Sequence, residues 1–197
     1  MRRTLWLVPL VAVIAGVLSL LALRSLGAQA RPLVTRFARQ GAFQRPRRSP
    51  HEDVSAVVAG AKLTIVYGRP YMRGRTIFGG LVPYGVVWCP GADEATTLES
   101  TLALRIGSML VPVGPHTIWI LPNRERPWAL IVSEESSGFH TFYNRAADLG
   151  RIELRVRTLP APVEQLTFLI SPTAEGSGTI AMQWEQTEVS VPFAVVQ

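Results

Sequence analysis

The segment Arg151–Arg157, RIELRVR, sets Ile152, Leu154 and Val156 between four charged side chains. Side chains alternate across an extended chain, so this spacing gives a strand with one apolar and one solvated face. The same period runs outward in both directions. Leu63, Ile65 and Tyr67 share it, as do Leu102, Leu104 and Ile106. Later in the chain it returns at Leu166, Phe168 and Ile170, at Ile180, Met182 and Trp184, and at Val189, Val191, Phe193 and Val195. Two runs are apolar throughout, Thr117–Leu121 and Trp128–Val132, and read as central strands covered on both faces. Turn residues separate the runs at Gly107-Ser108, Gly114-Pro115, Pro122-Asn123, Pro160-Ala161-Pro162 and Gly176-Ser177-Gly178. The pattern predicts an all-β domain over 51–197, an antiparallel β-sandwich or distorted barrel of eight to ten strands. The only helical candidate within it is Asn144–Leu149.

Charge divides the chain. Its net charge of +6 suggests a nucleic-acid partner, but residues 1–48 hold nine arginines and no acid, while the remainder holds eleven basic and fourteen acidic residues. The folded part is therefore acidic, and a nucleic-acid partner is not expected. Residues 1–30 carry Arg2 and Arg3, an uncharged apolar run over 5–23, and Ala28-Gln29-Ala30. That order predicts an apolar helix, serving as an export signal cleaved after Ala30 or as a membrane anchor. The domain is then periplasmic or at the cell surface, and touches the membrane through 5–23 when uncleaved. The arginines after the apolar run would favour the opposite, cytoplasm-facing topology for an uncleaved anchor. Residues 31–50, with six arginines and three prolines, predict a basic disordered linker. The single cysteine, Cys89, excludes an internal disulfide and reads as a packed residue beside Trp88.

The chemistry-bearing motifs are fewer. Gly74–Gly85, GRTIFGGLVPYG, is glycine-rich, yet no lysine-serine ending and no helical pattern follow it. It reads as a corner between strands, with Ile77, Phe78, Leu81 and Tyr84 turned into the core and Val86–Trp88 starting another strand. No nucleophile elbow, zinc-protease or dinucleotide motif is present. The three histidines, His51, His116 and His140, show no ligand spacing, so neither metal nor cofactor is expected.

Tyr67–Pro70, then Gly74–Trp88, then Gly91–Thr96, with Ser49-Pro50 before them and Trp184-Glu185 and Val189–Pro192 after them, resemble the signature of a bacterial family. It is the domain-of-unknown-function family numbered twenty-nine eleven. The resemblance covers nearly all of 49–197. It implies an exported β-rich protein and brings no catalytic or binding residues. This chain has Cys89 where the family has arginine, Asp93 where it has asparagine, and His116 where an aromatic is usual.

One surface stands out around the corner. Arg69, Arg73 and Arg75 precede it, Asp93 and Glu94 follow it, and Tyr71, Tyr84 and Trp88 supply aromatic faces. Planar cations beside aromatic rings suit sugars or peptide carboxylates. The candidate ligand-binding residues are Arg69, Arg73, Arg75, Tyr84, Trp88, Glu94 and His116, with Arg75 and Glu94 expected to pair as a clasp. Two functions compete. One is a binding or structural module of the cell envelope, with a glycan or peptide ligand. The other is a hydrolase on envelope or polysaccharide material that uses Glu94 with Arg75. Asp93 and Glu94, adjacent on an extended chain, would face opposite ways and do not by themselves make an acid/base pair. Oligomeric state has no signal in the sequence.

Overall fold

The computed structural model describes residues 49–173 and 176–197. The expected signal or anchor and most of the linker lie outside these residues. Among the described residues no helix is long and apolar enough to cross a membrane.

Nine strands form the domain: β1 (His51–Val58), β2 (Ala61–Gly68), β3 (Thr97–Ser100), β4 (Leu104–Ile106), β5 (Met109–Val111), β6 (Gly114–Leu121), β7 (Trp128–Ser133), β8 (Asp148–Pro172) and β9 (Ser177–Val195). They join in one antiparallel sheet in the order β1-β2-β3-β6-β7-β8-β9-β4-β5, open at β1 and β5. The helical candidate contributes a single 3-10 turn, Arg145–Ala147, whose Asn144 side chain caps the Ala146 N–H.

The alternation seen in sequence predicts the buried faces well. Leu63, Ile65 and Tyr67 of β2, Leu166 and Phe168 of β8, and Ile180, Met182 and Trp184 of β9 all enter one core. Val156, on the same alternation as Leu154, is exposed instead. The apolar runs β6 and β7 sit centrally, and both faces are covered. Ile118, Ile120, Leu130 and Val132 face the main core, while Trp119 and Ile131 face a second, smaller cluster with Cys89 and Ala95. Strands apolar on both faces need a cover on each, and the loop through Cys89 and Ala95 helps supply the second.

The proline run does not turn the chain. Pro160-Ala161-Pro162 lies inside β8, a 25-residue strand. Proline has no N–H to give a ladder, so the strand bulges rather than reversing. Pairing of β8 with β9 shifts register between Thr158 and Val163 and again between Val163 and Thr167. Opposite this irregularity Glu185 of β9 takes a left-handed φ of 54°.

The glycine-rich corner is confirmed as a corner, with two changes. Ile77, Phe78 and Val82 are buried in the main core, but Leu81 is 47% exposed and does not plug it. Backbone bonds from Gly79 N–H to Val82 O (2.8 Å) and from Val82 N–H to Ile77 O (2.8 Å) close the corner. Gly79 has φ of 87°, and a Cβ there would come within 2.7 Å of the Tyr84 ring, so both the conformation and the space require glycine. Val86–Trp88 forms no strand. A single bridge joins Trp88 to Ile120, with both N–H···O distances 2.8 Å.

Candidate functional site

The bulge in β8 builds the site. Where β8 leaves β9, its backbone groups are open to another partner, and the segment after β2 takes them. Met72 N–H donates to Glu164 O (2.7 Å), Leu166 N–H donates to Pro70 O (3.0 Å), and Tyr71 bridges Gln165. This docking sets the turn that follows. Arg73 sits at a left-handed φ of 51°, its N–H held by the Glu164 carboxylate at 2.8 Å. The Arg75 guanidinium folds back on its own turn, donating from Nε to Met72 O (2.9 Å) and from Nη2 to Tyr71 O (2.6 Å).

Beside this turn lies a cleft of about 570 Å³, lined among others by Tyr71, Arg73, Arg75, Trp88, His140 and Trp184. Its aromatic wall is rigid. Trp88 and Trp184 stack with centroids 6.0 Å apart and planes within 17°. Trp184 is buried in the main core, so it anchors the pair. The Arg73 guanidinium lies 5.8 Å from the centre of the Tyr71 ring. Arg73 is exposed and makes no ion pair among the described residues. Arg75 commits Nε–H and one Nη2–H to its turn, which leaves three of its five donors for a ligand.

The loop through Gly91 and Ala92 also lines the cleft. It passes so close to the end of β2 that a Cβ at Gly68 would lie 2.2 Å from Ala92 O. The loop is pinned from within: Thr96 N–H donates to Cys89 Sγ (3.3 Å) and Thr96 Oγ1 donates to Pro90 O (3.0 Å). Burial above all pushes the Cys89 thiol up to about 11, against a smaller opposing effect of the Thr96 hydrogen bonds. A thiol so placed is a packed residue rather than a nucleophile.

Next along the loop, Asp93 takes a φ of 67°. Its carbonyl accepts from both His140 N–H (3.1 Å) and His140 Nδ1–H (2.6 Å). Glu94 bridges to Phe139, and its carboxylate lies 2.6 Å from His51 Nε2. The ligating atoms of His51, Asp93 and Glu94 all fall within 4.8 Å of one another. These two sequence neighbours therefore act on the same side, because the left-handed turn at Asp93 breaks the extended geometry that would separate them.

The sequence candidates divide accordingly. Arg73, Arg75 and Trp88 line the cleft, joined by Tyr71. Arg75 and Glu94 do not form the expected clasp: Arg75 serves its own turn and Glu94 meets His51. Arg69 is a tie between strands, donating from Nε to Leu166 O (3.0 Å), from Nη2 to Thr167 Oγ1 (2.8 Å) and from Nη1 to the Glu52 carboxylate. Tyr84 lies over a different hollow, under the Arg124 guanidinium at 5.2 Å and edge-on to Trp128. His116 is buried on β6, with its two ring nitrogens each 3.1 Å from a backbone carbonyl, those of Ser133 and Pro112. Trp184, His140 and His51 were not among the candidates. Trp184 follows a core alternation, and nothing in the spacing of the histidines links either of them to residues 93–94.

Geometry of this kind defines a β-rich domain with an open cleft walled by aromatics and arginines, next to a histidine–carboxylate group. The chain belongs to the family described as protein of unknown function (DUF2911), whose profile matches residues 49–193. Neither a curated protein nor a solved structure matches the chain.

Proposed function

We propose that the protein is a binding module of the cell envelope, exported through its apolar leader, that captures a carboxylate-bearing sugar or peptide in the cleft. One observation carries this reading: Arg73 and Arg75 converge with Tyr71, Trp88 and Trp184 on a single open cavity of about 570 Å³. A ring of the ligand rests on Tyr71 and Trp88, with the buried Trp184 backing Trp88, and its carboxylate meets the arginine donors. The wall is held before any ligand arrives, so little ordering cost falls on binding. The hydrolase reading needs Arg75 and Glu94 to act together, and what speaks against it is that Glu94 meets His51 while Arg75 folds back on its own turn.

The test is calorimetric titration of the purified protein with acidic and neutral oligosaccharides and with peptides. An acidic member of the panel binds, and Arg73→Ala with Arg75→Ala weakens it at least tenfold, since hydrogen bonds to charged groups are each about 1.5–3 kcal/mol. Absence of any binding, or binding indifferent to both changes, refutes the reading. Protease accessibility in intact cells decides the compartment separately.

A further inference from the structure

We propose that His51, Asp93 and Glu94 form a zinc site beside the cleft. The three donors come from distant parts of the chain, the start of β1 and the loop before β3, and the fold gathers their ligating atoms within 4.8 Å. Ser49 and Ala92, close in sequence to His51 and Asp93, line the cleft, so the site adjoins it. The donor set selects the ion. One imidazole nitrogen with two carboxylates suits zinc, whereas calcium takes six to eight oxygens and magnesium is bound mainly by carboxylates and water. Donors on a tetrahedral zinc lie roughly 3.3 Å apart at bond lengths near 2.0–2.1 Å. His51 Nε2 and Glu94 Oε2, at 2.6 Å, have to part, and any donor pair near the 4.8 Å limit has to close on the ion. Glu94 is exposed and can reorient without disturbing the core.

The backbone supports the arrangement. The left-handed φ of 67° at Asp93 brings consecutive carboxylates to one side, and His140 holds that turn with two bonds to its carbonyl. His140 is thus a positioning residue, in the way outer groups orient metal ligands elsewhere. Three protein ligands leave zinc an open coordination position. This inference is independent of the cleft's ligand, because zinc is measured alone.

Calorimetry of the full chain with zinc chloride tests it, with magnesium and calcium as comparison ions. The expected result is saturable binding of about one zinc per chain, with affinity reduced at least tenfold in His51→Ala and in Glu94→Gln. Glu125→Gln, elsewhere on the surface, should leave the affinity unchanged. Thermal melts confirm that each variant folds. Should both fail to fold, zinc-edge anomalous scattering from wild-type crystals soaked in zinc decides the matter, with a peak bonded to His51 Nε2 and a carboxylate expected. No saturable binding, equal binding in both folded variants, or an anomalous peak elsewhere overturns the site.

Discussion

Replacing Arg69 by methionine separates a strand tie from a ligand contact. The side chain is mostly covered, 18% exposed, and its donors reach β1 at Glu52 and β8 at Leu166 and Thr167. Methionine keeps most of the apolar stem and loses every donor. The Glu52 partner is 47% exposed, so that ion pair contributes less than about 1 kcal/mol. The bonds to Leu166 O and Thr167 Oγ1 are partly buried and charge-assisted, in the range of about 1.5–3 kcal/mol each. Thr167 Oγ1 retains its own bond to Gln165 O at 2.9 Å, which softens the loss on that side. Leu166 O is left with a dehydrated lone pair, a penalty of about 1–3 kcal/mol. With the Thr167 bond largely offset, and the Leu166 O penalty taken as the cost of losing its bond rather than added to it, the net expectation is a loss of about 2–3 kcal/mol. With a urea m-value of about 2 kcal/mol/M, the unfolding midpoint falls by roughly 1–1.5 M. Glu52→Gln, tested alongside, should cost less than about 1 kcal/mol. A midpoint shift below roughly 0.3 M for Arg69→Met, or equal losses for both variants, would refute the reasoning.

Cys89, fully buried with its thiol raised to about 11, should resist thiol reagents in the native protein at neutral pH and react once in denaturant. Rapid native labelling would contradict the packing described. Tyr143 donates to both Asp148 carboxylate oxygens (2.8 and 2.6 Å) and accepts from Arg151 Nη2 (2.6 Å). Burial, and then Asp148, raise it to about 12 from the usual 10.0. A raised folded value means this contribution to stability is complete below about pH 10 and is lost as the pH climbs through about 12. Urea midpoints measured across that window should fall less in Tyr143→Phe than in the wild type, and equal slopes would show that the phenol is not responsible.

Strand content was legible because burial on one face leaves a period of two in the sequence. Leu63, Ile65 and Tyr67 share one face of that period, and all three are buried. The central place of β6 and β7 followed from runs too apolar for one covered face. Pro160–Pro162 misled for a local reason. Proline forbids a ladder bond but does not dictate whether the chain reverses or bulges, and the partner strand decides. The cleft was half legible. Arg73, Arg75 and Trp88 lie close in sequence to a glycine-rich corner, so proximity alone grouped them. Trp184 arrives from β9 and His140 from the loop after β7, and contacts between segments so far apart leave no spacing to read. The Arg75–Glu94 clasp does not form, because charge complementarity carries no information about the turn that holds Arg75. A guanidinium can satisfy nearby carbonyls at smaller entropic cost than a distant carboxylate.

The loop that covers the second face of β6 and β7 also lines the cleft, and this shared role explains its fixed shape. Cys89 and Ala95 pack against Trp119 and Ile131, which secures the loop at both ends. Between those anchors Gly91 and Ala92 line the cavity, and Asp93 adopts a conformation that an L-residue takes at some cost. Such strain persists only where the surroundings over-determine it. Here the two anchored ends and the paired bonds from His140 do so. Cys89 suits this arrangement because a small thiol fits where the loop meets the sheet.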